Sequence, residues 1–126
     1  MYHITLMGRI PSKKNSKQIV GGVRKFIVPS NSFKVWHAAA MIEIRQQIRG
    51  LKLPITLAYD HLVTLRFFAP DKIKGDLTNK AESIMDLLVD AGVLEDDNWF
   101  AVGAIDLRFG GVDRERPRVE VEIRTE

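Results

Sequence analysis

Between residues 75 and 97 the chain carries Asp76, Glu82, Asp86, Asp90, Glu95, Asp96 and Asp97. From Met1 to Ile42 it has no acid at all, but it has Arg9, Lys13, Lys14, Lys17, Arg24, Lys25 and Lys34. Carboxylate oxygens are what a hard cation such as Mg2+ takes, usually one or two from protein, with water and substrate phosphate completing the octahedron. Residues three and four apart share a helix face. Asn79, Glu82, Ser83, Asp86 and Asp90 therefore fall on one side of a helix, opposite Leu77, Ile84 and Leu88. Asp76 stands at the mouth of that helix after Gly75, and Asp96 and Asp97 lie beyond Gly92. A strand running back beside the helix would let Asp96 or Asp97 approach Asp76. Each acid also has a plainer use: aspartate is a favoured N-cap, Asp86 and Asp90 suit a solvated face, and an Asp-Asp pair suits a turn.

The basic surroundings weigh on that choice. Carboxylates near phosphate repel a nucleic acid until a cation neutralises them, so acids set in a basic surface fit a Mg2+-using nuclease. A segregated basic face also suits a polyanionic partner. Other chemistries are excluded. With no cysteine there is neither a disulfide framework nor a thiolate metal site. There is no P-loop, no dinucleotide-binding glycine pattern, no Gly-x-Ser-x-Gly elbow and no His-Glu-x-x-His. His3, His37 and His61 lack ligand spacing and read as ordinary strand or helix residues; Trp36 reads as core and Trp99 as a packing residue.

These side chains need elements to hold them. YHITLMG alternates and predicts a strand, PSKKNSK a basic loop, and KQIVGGVRKFIV a hairpin about Gly21-Gly22. PSNSFKVWHAAAMIEIRQQIRG predicts a helix capped by Ser30, Asn31 or Ser32, with Phe33, Trp36, Ala40 and Ile44 at helical spacing and Gly50 as its stop. HLVTLRFFAP predicts a strand ended by Pro70. The acidic helix should run from about Leu77 to Ala91, with Leu77, Ala81, Ile84, Leu88 and Ala91 on its apolar face. WFAVGAIDLRF and RVEVEIRT predict two last strands joined around Gly110-Gly111. The expected fold is α+β: a small mixed sheet of about four main strands plus a hairpin, with two helices packed on it. The 126 residues suit one domain, 1–126. No leader and no run of roughly 20 apolar residues is visible, which predicts a cytoplasmic protein with no membrane partner.

GDLTNKAESIMDLLVDAGVLEDDNW resembles the central motif of the RusA-like Holliday junction resolvases. That motif reads Asp-x-Asp-Asn, a lysine three residues on, an Asp-Ala-Leu-type helix end, a glycine, then Asp-Asp. Asp76 falls on its first aspartate, Asn79 on the asparagine, Asp86 on the helix aspartate and Asp96-Asp97 on the closing pair. Two positions depart: Thr78 stands at the second aspartate and Glu82 at the lysine. The resemblance implies a homodimeric endonuclease that cuts branched DNA with Mg2+, Mn2+ being a possible substitute, in recombination and repair. Such proteins are often carried by phages and prophages. It implies a metal held by Asp76 and Asp97 with help from Glu82 or Asp96, with Asn79 also in the site. Lys80 or Lys74 would offset charge at the cut phosphate. Lys13, Lys14, Lys17, Arg24, Lys72 and Lys74 would contact DNA. Glu82, one turn after Thr78 and longer than aspartate, would reach back toward Asp76 in place of the missing carboxylate. Two other readings stay open: a junction-binding protein of the same fold that has lost catalysis, and an interaction module whose acidic ridge docks a basic partner.

Overall fold

In a computed structural model, residues 1–12, 17–20, 26–29, 31–55 and 62–124 are described, with only the backbone described for 17–20 and 26–29. Alternation along β1 (Tyr2–Met7), β4 (Leu62–Ala69) and β6 (Arg118–Arg124) builds one sheet. Ile4, Leu6, Val63, Leu65, Phe67, Val119, Val121 and Ile123 all turn to the same side and are buried there. β5 (Ala104–Val112) completes the sheet in the order β1-β6-β4-β5. It runs parallel to β4, whereas the β1–β6 and β6–β4 pairs are antiparallel. The sheet is therefore mixed, and with two helices the α+β expectation holds. β2 (Lys17–Val20) and β3 (Phe26–Pro29) form a separate antiparallel hairpin. Lys13, Lys14, Arg24, the Gly21-Gly22 turn, Ser30 and His61 lie outside the described residues, and Lys17 is placed on β2 by its backbone alone.

Helix α1 (Asn31–Gln47) buries Phe33, Ala40 and Ile44, at the spacing the sequence showed. Trp36 packs half-buried against the core, its ring 5.7 Å from that of Phe33. The far end of α1 also guards β1. Gln47 accepts from the Thr5 amide (2.8 Å) and donates to the Thr5 carbonyl (2.7 Å), and Glu43 accepts from the Met7 amide (3.0 Å).

Helix α2 (Leu77–Asp90) connects β4 to β5 as the crossover that parallel strands require. It ends where Gly92, at φ +78°, turns the chain through a left-handed conformation, and Val93 and Leu94 then drop into the core.

Four local expectations are corrected. Ser83, placed by periodicity on the acidic face, is fully buried and donates to the Pro11 carbonyl at 2.7 Å; a small hydroxyl with a partner can sit inside. The strand expected from Trp99 begins only at Ala104, because the Asn98 side chain accepts from the Phe100 and Ala101 amides and folds that stretch into a turn. Trp99 is 78% exposed rather than packed. Gly110-Gly111 lies within β5 as a bulge opposite Phe67 and Phe68, and the join to β6 is the turn that follows Val112. A Cβ on Gly110 would meet the Phe68 ring at 2.6 Å, which is why the strand carries a glycine there.

Candidate active site

Helix α2 holds the acids at its two ends, and the ends are built differently. At the N-terminus Asp76 adopts extended backbone angles (φ −97°, ψ 116°) and caps the helix. Its Oδ1 accepts from the Thr78 amide at 3.0 Å, the Thr78 hydroxyl at 2.7 Å and the Asn79 amide at 3.3 Å. Thr78 thus supports the carboxyl it follows. A cap of this kind stabilises a helix by about 1 kcal/mol. Lys80, one turn in, is half-buried and folds back so that Nζ donates to the Ile10 carbonyl at 2.6 Å. Burial, and then the charge of Arg9, push its ammonium below the usual lysine range. Its stem passes across Gly75, where a Cβ would lie 2.6 Å from Cε. Lys72 and Lys74 stand exposed on the loop leading to the helix.

A cavity of about 470 Å3 opens at this end. Phe67, Leu77 and Phe109 are among its apolar lining, and Arg9, Lys72, Lys74, Lys80 and Arg118 are its cations. Its one acid, Asp71, is paired with Arg9, and the Ile73 amide and then Arg9 hold its carboxyl below the ordinary range. Arg118 lies 3.9 Å from the centre of the Phe68 ring and bonds Asp113 and Glu120. Arg9 and Arg118 did not stand out as site residues in the sequence. Only the fold brings residues 9, 72–80 and 118 together.

At the C-terminus of α2 the signs reverse. Asp96 accepts from the Asp97 amide at 2.7 Å and from the Asn98 side chain at 3.1 Å. The Asp97 carboxyl is pushed above its ordinary value, first by loss of hydration, then by hydrogen bonding to and the charge of Asp96, with the charge of Asp86 adding to it. Asp90 is bonded to His37 Nε2 of α1 at 2.9 Å. His37 therefore ties the two helices, a contact that scattered histidine spacing could not reveal. Glu82 lies between the two ends, exposed on the outer side of α2.

Asp76 caps the N-terminus of α2, a helix about 21 Å long for its 14 residues, whereas Asp96 and Asp97 lie in the turn that follows its C-terminus. The charges of both Asp96 and Asp86 reach Asp97. Among the described residues no three of His, Cys, Asp or Glu converge closely enough within one chain to hold a metal. Mg2+ needs fewer, because water and phosphate can fill its other positions. Oxygen donors alone suit such an ion, and the adjacent carboxylates of Asp96 and Asp97 supply them.

Residues 8–124 match the family profile described as "Endodeoxyribonuclease RusA". The chain is also similar to a crossover junction endodeoxyribonuclease RusA from Aquifex aeolicus (strain VF5). Identity to it is 27% over 92 residues, covering 73% of this chain and 69% of that protein.

Proposed function

The chain belongs to the RusA family of endodeoxyribonucleases, and from that premise we propose that it is a Mg2+-dependent enzyme that resolves four-way DNA junctions in recombination and repair. The observation that carries the metal-dependent reading is the raised carboxyl of Asp97 beside Asp96 and Asp86. In a basic protein that acts on DNA, such a cluster repels substrate until a cation neutralises it. Bound there, Mg2+, or Mn2+ in its stead, would supply a polarised phosphate and an acidified water.

The protein's own residues do the rest. Asp97 and Asp96 hold the ion. Asp76, which caps the opposite end of α2 from the turn that follows it, serves the same centre from a second copy of the chain, and Glu82, one turn before Asp86, lies between the two. The predicted homodimer thus becomes a condition of the complete site as well as a match to a junction's two opposed strands. The backbone amide of Asn79 donates to Asp76 and helps to hold that carboxyl in place. Lys72 and Lys74 take the backbone phosphates flanking the cut, with Lys13, Lys14, Lys17 and Arg24 extending the track. Lys80, held on the Ile10 carbonyl, keeps positive charge beneath that phosphate path.

The test is cleavage of a four-way junction against linear duplex of the same sequence, with Mg2+, with Ca2+ and with EDTA. Symmetric nicks that need Mg2+ support the reading. Tight, salt-sensitive junction binding without cleavage in any metal would favour a binding protein, a reading that the three donors on Asp76 Oδ1 give some footing. No salt-sensitive DNA binding at all would leave an interaction module. Among the described residues no helix is long and apolar enough to cross a membrane.

A further inference from the structure

The sheet has two edges, and they are treated in opposite ways. β1 is closed off by the Gln47 and Glu43 side chains of α1. β5, at nine residues the longest strand, has no described residue bonded to its outer edge. Its side chains are uncovered too: Ile105 is 45% and Phe109 58% exposed, with Trp99 and Phe100 above 70% just before the strand begins. An apolar open edge is a template for another strand.

The pattern along β5 says which strand. In register with β4, Ile105, Leu107 and Phe109 lie beside Val63, Leu65 and Phe67, on the side where the helices pack. Asp106 and Arg108 lie beside Thr64 and Arg66 on the opposite face. Rotate a second β5 about a two-fold axis through Leu107 and perpendicular to the sheet. Ile105 then faces Phe109, Leu107 faces its own copy, and Asp106 faces Arg108. Apolar meets apolar on one face and opposite charges meet on the other, which is what favours an antiparallel pair. Centring one residue away in either direction sets Asp106 against Asp106 or Arg108 against Arg108. Only the Leu107 register is self-complementary. The bulge at Gly110 ends the regular stretch on one side, and Ala104 begins it on the other.

We propose that β5 is the self-pairing edge of this protein, taking the β5 strand of a second copy antiparallel in the register centred on Leu107. This rests on the homodimeric reading above and locates its interface. A strand this short covers less than the roughly 800 Å2 per partner that stable dimers bury. The exposed Trp99 and Phe100 before the strand, and Val112 and Ile73 near its far end, supply the remaining apolar contact. β5 runs from the Asp97 end of α2 toward its Asp76 end. End-for-end pairing therefore lays one copy's Asp96–Asp97 turn alongside the loop that carries the partner subunit's Asp76.

Charge reversal tests the register. Asp106→Arg and Arg108→Asp each set like charges opposite one another twice per dimer, so each variant alone should self-associate about 10-fold or more weakly in analytical ultracentrifugation. Mixed in equal amounts, the two variants place arginine opposite aspartate at both crossings and should form a heterodimer close to wild type in affinity. The pairing of Arg108 with Asp106 inside one strand (2.8 Å) is lost in both variants and is not restored by mixing, so rescue reports the contact between copies alone. Both single variants dimerising as tightly as wild type would overturn the β5 interface and leave the homodimer standing. Weakened variants with no heterodimer on mixing would overturn the register. A wild-type protein that cleaves junctions as a monomer would remove the homodimer, and the interface with it.

Discussion

The two ends of α2 solve opposite electrostatic problems. A helix presents partial positive charge at its N-terminus and partial negative charge at its C-terminus. Asp76 answers the first in the ordinary way, accepting from Thr78 and Asn79. The other end has no basic residue in its last turn and gathers Asp86, Asp90, Asp96 and Asp97. Asp90 is bonded to His37, and Asp96 accepts from the Asp97 amide and the Asn98 side chain. One end holds a single capping carboxylate, while the other brings the charges of Asp96 and Asp86 near Asp97. Departures of this kind concentrate where a protein has work to do. On the function proposed above, the C-terminal end of α2 would take a cation and the N-terminal end would position a phosphate.

The largest effect should come from removing a carboxylate at either end. Asp97→Asn and Asp76→Asn should each lower junction cleavage by at least about 100-fold, with gel-shift affinity unchanged or slightly tighter. Full activity in Asp76→Asn alone would make the N-terminal carboxyl a cap and nothing more. Glu82→Ala should match that loss if Glu82 replaces the family's second acid, and adding Thr78→Asp should recover part of it in the same single-turnover assay. Normal cleavage by Glu82→Ala would pass the role to Asp96.

Charge at the basic end should matter for binding rather than chemistry. Replacing Lys72 and Lys74 together with alanine should reduce the log–log salt slope of junction binding by about 2, and the same change at Lys13 and Lys14 should act alike. An unaltered slope would move the DNA path away from those lysines. Thr78→Ala, which removes the hydroxyl donor to Asp76, should cost about 1 kcal/mol in denaturant unfolding and leave cleavage largely intact.

The smallest effect is the most direct check on the acidic end. Because the folded protein holds Asp97 above its ordinary value, the folded state takes up that proton before the unfolded chain does. Its ionised form therefore costs stability at neutral pH, and the cost fades as pH falls through the raised value into the ordinary carboxylate range. Asp97→Asn should melt about 1–2 °C above wild type at pH 7, with the gap closing at low pH. Mg2+ should close the same gap from the other side by stabilising wild type alone.

Much of this architecture was legible in the residues. Alternation in RVEVEIRT and the spacing of Phe33, Ala40 and Ile44 are local patterns that the core enforces, and both elements formed where expected. Gly92 marked a helix end because its left-handed backbone favours glycine. What stayed hidden was whatever depends on long-range placement. Nothing local told that Ser83 would find the Pro11 carbonyl 72 positions away, or that Asn98 would hold back the start of β5. In the site, the motif acids were visible, but their division between two helix ends was not. A crossover helix carries the chain the length of the sheet before the next strand can begin, and no local pattern says how far the Asp96–Asp97 turn folds back along it.

The Gln47 and Glu43 side chains on β1 bear on how many copies can join. A chain with two open sheet edges could add neighbours without end, as fibrils do. With Thr5 and Met7 already bonded to α1, the described residues leave the β5 edge of this sheet as the one open to a further strand. When two such chains join there, the combined sheet ends on both sides in a sealed β1. Growth therefore stops at a closed pair.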